Sequence, residues 1–317
     1  MRNMVTGVVS VDPPRDLHRS EGAPRMQIGA LYPQRELPAD PQALRDFACG
    51  IEQLGFDYLV LNDHVIGAVG EDRNPPLTGP YRETDRFHDP LVAFAHLAAL
   101  TERLEFCTGV MILPQRQTVL VARQAADVDL LSGGRFSLGV GTGWNYVEYD
   151  ALGQDFARRG DRLTEQIDLL RQLWSGDVVD FQGEFDRVDR AALAPAPSSM
   201  IPILCGGMSA PAYRRGAKQA DGFIFMGALD ELALPGWSQV QSLMEQDGRS
   251  TDGFRSEYYA TRADYGGLAV PDVVRTHDTW EERGGTHLSV KTMQMGFSTV
   301  TSHLQHLEKV AISLGRG

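Results

Sequence analysis

Residues 132–145 read Ser132-Gly133-Gly134-Arg135-Phe136-Ser137-Leu138-Gly139-Val140-Gly141-Thr142-Gly143-Trp144-Asn145, and this stretch decides the fold. The Gly133-Gly134 turn feeds Phe136–Val140, a short run of strand formers with glycines on both sides. The run opens into Gly141-Thr142-Gly143, where no side chain bars the close approach of a ligand. Trp144 then offers a flat apolar surface and Asn145 a hydrogen-bonding amide. A strand ending this way suits a planar aromatic cofactor; the plain alternative is a tight strand-to-helix loop that holds nothing. The glycines do not make a dinucleotide fingerprint. After Gly139 and Gly141 the third glycine would stand at 144, which is tryptophan.

Outward from this stretch, short apolar runs alternate with amphipathic ones. Gln27–Tyr32, Tyr58–Leu61, Leu104–Leu113, Ile201–Cys205, Gly222–Met226, Phe254–Ala260 and Thr286–Lys291 read as further strands. Asp40-Pro41 and Asp89-Pro90 each supply an N-cap and a first-turn proline. Thr118–Leu131, Phe156–Trp174, residues 209–220, Asp272–Arg283 and Thr299–Leu314 read as helices. The clearest is Phe156–Trp174, with Leu163, Ile167, Leu170 and Trp174 on one face. In the last helix Val300, Leu304, Leu307 and Ala311 form the buried face, which leaves His303 and His306 on the exposed side. Residues 178–188 read as a small hairpin outside the repeat. Residues 65–87 have no periodicity, and a loop that long inside a compact domain is a functional lid or an excursion.

Strand and helix alternate about eight times, which implies parallel strands joined by right-handed crossovers. A closed (β/α)8 TIM barrel and a doubly wound sheet both fit; the count, the length and the lack of a midpoint linker favour the barrel. The expected organisation is a loose arm over residues 1–25 and one barrel domain over 26–317.

The 317 residues are 42% hydrophobic and 23% charged, the composition of a globular protein. A formal charge of −12 argues against a nucleic-acid surface, which needs clustered Lys and Arg. Cys49, Cys107 and Cys205 read as reduced thiols rather than a disulfide framework or zinc site. No apolar run reaches the roughly 18 residues a membrane helix needs, so no membrane role and a cytoplasmic location are expected.

In a barrel, chemistry gathers where the strands end. Those ends carry Asp63-His64, Val110-Met111, Gly143-Trp144-Asn145, Gly206-Gly207, Met226 and Lys291. His64 is the group best suited to exchange protons near neutral pH. Gly206-Gly207-Met208-Ser209, between a strand and a helix, frees backbone N–H groups for an anion such as a phosphate, with Arg214, Arg215 and Lys218 further along that helix. Lys291 is one of only three lysines and fits neutralisation of an anionic group better than Schiff-base chemistry. No metal-ligand spacing links the histidines.

Together these residues resemble the bacterial luciferase-like monooxygenase superfamily, in particular its branch of deazaflavin (coenzyme F420)-dependent oxidoreductases. The resemblance runs from about Met26 to the C-terminus. It is most specific at 131–144, with support from Phe56-Asp57 through Asp63-His64, the Arg158–Trp174 helix, Ala220–Phe223 and Gly285–Val290. It implies a (β/α)8 barrel that binds F420, or alternatively FMN, at its mouth. Asp63 and His64 would stand beside the reactive ring as the catalytic pair. Asp63, Val110, Met111, Gly143, Trp144, Asn145, Gly206, Gly207 and Met208 would line the cofactor. It also implies a non-proline cis peptide in the third strand, placed at Val110–Met111 by its position before Pro114, and a homodimer. Trp144 departs from relatives that oxidise a sugar phosphate or an alcohol, which have an acid at or near this position. That acid–base pair is therefore not expected here, and reduction of a small organic substrate is favoured over alcohol oxidation. The alternatives are an FMN-dependent monooxygenase fed by a separate reductase and a flavin-binding protein without catalysis.

Overall fold

The computed structural model describes residues 25–316; the arm expected over residues 1–25 lies almost wholly outside the described residues. The barrel strands are β1 (Gln27–Leu31), β2 (Tyr58–Leu61), β3 (Glu105–Thr108) with its continuation β4 (Met111–Ile112), β5 (Phe136–Gly141), β8 (Ile203–Gly206), β9 (Gly222–Phe225), β10 (Arg255–Ala260) and β11 (His287–Val290). Every neighbouring pair is parallel, and the sheet closes through β3 and β4 on β5 and through β1 on β11. A small antiparallel pair, β6 (Val179–Gln182) and β7 (Arg187–Ala191), lies outside the barrel, as the sequence predicts. This is a (β/α)8 barrel.

The helices around it are α1 (Pro41–Gln53), α2 (Pro90–Ala98), α3 (Thr118–Ser132), α4 (Tyr146–Ala151), α5 (Arg159–Trp174), α6 (Ala210–Gln219), α7 (Leu234–Gln246), α8 (Val270–Glu282) and α9 (Val300–Ser313). The two Asp-Pro signals act as expected. Asp40 accepts from Ala43 N–H at 2.7 Å, and Asp89 accepts from Leu91 and Val92 N–H. The weakly patterned region 228–275 holds α7, whose buried face is Gly236, Trp237, Val240 and Met244.

Two apolar layers follow from strand alternation. Outward-facing residues such as Leu288 and Val290 join the large core beneath the helices. Inward-facing Leu31, Tyr58, Val60, Cys107, Leu204, Ile224, Tyr259 and Met293 fill the barrel interior.

Two expectations are corrected. The third strand is not continuous over 104–113: it breaks at Gly109–Val110, and that bond, not Val110–Met111, is the cis peptide. Gly109 is where the chain can turn, because a Cβ there would strike the Tyr259 hydroxyl and Val60. His303 and His306 are buried rather than exposed, since the apolar face of α9 is rotated toward them. His303 Nδ1 lies 2.7 Å from Thr292 Oγ1, and burial pushes its pKa down to about 4. No helix among the described residues is long and apolar enough to cross a membrane.

Candidate active site

The carboxyl end of β2 delivers Asn62-Asp63-His64 to the barrel mouth. His64 Nδ1 sits 3.1 Å from both carboxylate oxygens of Glu148, which projects from α4 immediately after the Gly143-Trp144-Asn145 turn. Glu148 is buried and also accepts from the N–H groups of Val65 (2.9 Å) and Ile66 (3.1 Å) and from the Gln115 amide (3.3 Å). Burial alone would raise its pKa. The bond and charge of His64, the Ile66 N–H and Gln115 outweigh burial and hold it below the ordinary carboxylate value. Glu148 is therefore ionised at neutral pH and accepts a hydrogen bond from Nδ1–H. That fixes the tautomer, leaving Nε2, which has no hydrogen-bond partner among the described residues, as the atom able to give or take a proton.

The 65–87 loop folds over this pair. Its Tyr81 and Phe87 rings each stand 4.9 Å from the His64 ring, and Trp144 lies 5.6 Å away. Gly79 lies flat on Trp144, where any Cβ would enter the indole. Tyr146 O–H donates to Pro75 O at 2.8 Å, and Asn62 donates to the Tyr81 hydroxyl at 3.1 Å. Aromatic walls and a closed loop make a low-dielectric setting in which the His64–Glu148 pair is strengthened.

Asp63 turns away from the mouth. One oxygen accepts from Ile112 N–H (3.0 Å) and the other from Arg116 (2.7 Å), which also binds Asp89 at 2.9 Å. Its carboxylate is fully enclosed and ties β4 to the end of β2. Asn145 is buried and caps α4 by accepting from Val147 N–H. Met111 is buried in the outer core, whereas Val110 faces the barrel interior. A Cβ on Gly141 would come within 2.6 Å of Val110, and one on Gly206 within 2.7 Å; these two glycines exist to admit that side chain. Val110 thus forms a shelf on the mouth floor between β5 and β8.

At the end of β8, Gly207 has φ +142, a backbone shape that L side chains rarely adopt. The N–H groups of Gly207, Met208 and Ser209 make no hydrogen bond among the described residues, and Ser209 does not cap α6 with its side chain. They form a concave donor set of the kind that holds an anion. Arg215 does not join it, donating instead to Gly160 O and Thr164 Oγ1 beside α5. Met208 is exposed, 3.9 Å from the Tyr265 hydroxyl. Across the mouth Lys291 follows β11 on the inward register.

The structure therefore brings together His64, Trp144, Val110, Gly143, Gly206, Gly207 and Met208 around one opening, while Asp63, Met111 and Asn145 support it from behind. Sequence reasoning missed Glu148, Arg116, Tyr81 and Phe87. Glu148 had one available signal, an acid at the third position after an Asn N-cap.

The family model described as luciferase-like monooxygenase matches residues 21–260. An uncharacterized protein of Mycobacterium tuberculosis is 34% identical over 224 residues, covering 66% of this chain and 76% of that one. The pyrimidine monooxygenase RutA of Escherichia coli is 31% identical over 248 residues, 70% of this chain and 67% of that one. Among solved structures, the coenzyme F420 dependent tetrahydromethanopterin reductase of Methanopyrus kandleri superposes with TM-score 0.69 at 14% identity, covering 90% of this chain and 97% of that one. The monooxygenase RslO1 of Streptomyces bottropensis gives 0.72 at 17%, covering 92% and 100%. At these identities the structural likeness concerns the fold alone.

Proposed function

The chain belongs to the luciferase-like monooxygenase family and is an oxidoreductase, and we propose that it binds coenzyme F420 at the barrel mouth and reduces a small organic substrate there. The His64–Glu148 pair is the observation that carries this reading: a tautomer-locked histidine, enclosed by aromatic rings, with one nitrogen left to move a proton. The mouth fits the cofactor in two respects. The unfilled N–H groups at Gly207–Ser209 suit a phosphate, and the Val110 shelf beside Gly141 suits a flat ring. A bound deazaflavin supplies or accepts the hydride, and the protein's part is to orient the partners and handle the accompanying proton.

In the reducing direction His64 Nε2–H donates to the substrate atom that gains negative character. Glu148 holds the Nδ1–H of the ring throughout the transfer, so the exchanged proton is the one at Nε2. Trp144 walls the substrate side, and the 65–87 loop excludes water. The same pair could serve as base in the opposite direction, so the absence of an acid at 144 does not bar oxidation.

A second reading, an FMN-dependent monooxygenase served by a separate reductase, is favoured by one observation: the 31% identity to RutA exceeds that to the F420-dependent structural neighbours. Anaerobic fluorescence titration with oxidised F420 and with FMN separates the two. The proposal predicts micromolar or tighter binding of F420 and much weaker binding of FMN. A preference for FMN, with oxygen uptake by the reduced complex, overturns it in favour of the monooxygenase.

A further inference from the structure

Lys291 is 8% exposed, yet its ammonium makes no ion pair or hydrogen bond among the described residues. The stem is buried, but the ammonium is not among the fully enclosed unpartnered atoms, so its tip meets the mouth, where an arriving anion can reach it. The charges around it do not fill the role. Arg35 pairs with Asp85 at 2.9 Å and Asp264 with Arg262 at 2.9 Å. Glu36 feels the charge of Lys291 without bonding to it. One Glu36 oxygen accepts from Gln294 N–H at 3.0 Å, and the other is buried with no partner. Burial is the main reason that Lys291 is lowered to about 8, with Arg35 adding to it and Glu36 and Asp264 opposing.

Topology says which ligand the lysine faces. Around the barrel the order runs β5, β8, β9, β10, β11, so Lys291 stands opposite the Gly141–Trp144 turn and three strands from the Gly207 anion cradle. A cofactor whose phosphate occupies that cradle and whose ring lies on Val110 fills the other side of the mouth. The floor beneath Lys291 includes Tyr259, whose hydroxyl is buried without a partner and reaches across to Gly109.

We propose that Lys291 is a substrate-binding residue that ion-pairs with an anionic group, a carboxylate in the simplest case, on the β10–β11–β1 side of the mouth. This rests on the reading of the mouth as a redox site. It assigns the substrate class: a small organic acid whose reducible carbon lies toward His64 and whose anionic end lies toward Lys291. Water is displaced from the ammonium on binding, and the pair is worth more in this enclosed setting than on an open surface.

The chain has only Lys218, Lys291 and Lys309, so lysine labelled with 13C at Cε gives three resolvable signals. The F420-loaded protein is titrated with benzoate and with its neutral isostere benzamide. Benzoate should bind at least about tenfold more tightly. It should move the Lys291 signal and raise that amine's pKa by about one unit, leaving Lys218 and Lys309 unmoved. Lys291→Met should erase the preference and Lys291→Arg restore most of it, with F420 affinity in both within about twofold of the parent. Equal binding of the two probes, binding of neither, or a preference that survives in Lys291→Met overturns the proposal. Failure of F420 to bind overturns the proposed function alone, because the anion preference is read equally well on the cofactor-free protein.

Discussion

The two ends of the barrel are built from the same strands and treat buried polar groups in opposite ways. On β10 and β11 the lower inward positions are Arg255, Glu257 and Ser289. Arg255 donates to Glu257 at 2.8 and 3.1 Å and lies over the Tyr58 ring, and the Ser289 hydroxyl links Glu257 (2.6 Å) with the Tyr58 hydroxyl (3.0 Å). A surface cavity of about 360 Å³ opens there, but Asp221, Arg255 and His287 on its wall are already engaged with neighbouring groups. Two residues further along each strand stand Tyr259, whose hydroxyl is buried without a partner, and Lys291, whose stem is buried while its ammonium reaches the mouth and makes no ion pair or hydrogen bond among the described residues. An unfilled buried group costs about 1–3 kcal/mol. The β10–β11 network at the base is satisfied and serves stability, whereas the mouth keeps bonding capacity in reserve. That contrast, rather than cavity size, locates function at the carboxyl ends of the strands.

The largest expected effect lies at the base. Glu257→Ala strands a buried Arg255 and should cost about 3–5 kcal/mol in denaturant unfolding. Lys291→Met, which removes a charge that has no partner, should leave stability unchanged or raise it. A large loss at Lys291 and none at Glu257 would invert the contrast.

Next in size, His64→Ala should lower turnover of an identified substrate by about 100-fold, with F420 affinity little changed. Unchanged turnover would remove its role in proton transfer.

A smaller, local effect is expected at Gly79→Val. Its side chain cannot share space with the Trp144 indole, so the 65–87 loop should lift and become sensitive to protease, with a modest loss of global stability of about 1–3 kcal/mol.

The smallest effect is a pH dependence. The folded-state pKa of Glu148 lies below its ordinary 4.5, so its contribution is fully present above that value and disappears as pH falls through the lowered one. Acid unfolding of Glu148→Gln should lack this component; an identical acid limb in both proteins would show that the carboxylate does not hold the loop.

Much of this was legible in the chain because it is local. The Asp-Pro helix starts, the glycine-bounded β5 and the strand-end His64 all read directly from neighbouring residues. Glu148 was not legible, because it meets His64 across 84 residues of chain, through a loop without periodicity. Met111 was misplaced for a different reason. The break at Gly109–Val110 resets strand alternation, turning Val110 inward and Met111 out. The face of α9 was misread because His303 counts as polar in sequence but is buried against Thr292 and Phe297. Lys291 was visible as a rare residue, but the absence of a partner appears only in three dimensions.

The most direct test compares F420 affinity, by anaerobic fluorescence titration, in Glu257→Gln and Gly207→Val. The account predicts that the base variant binds within about twofold of the parent while the mouth variant binds at least about tenfold more weakly. Full affinity in Gly207→Val, or a folded Glu257→Gln that loses the cofactor, would contradict the placement of the cofactor at the mouth.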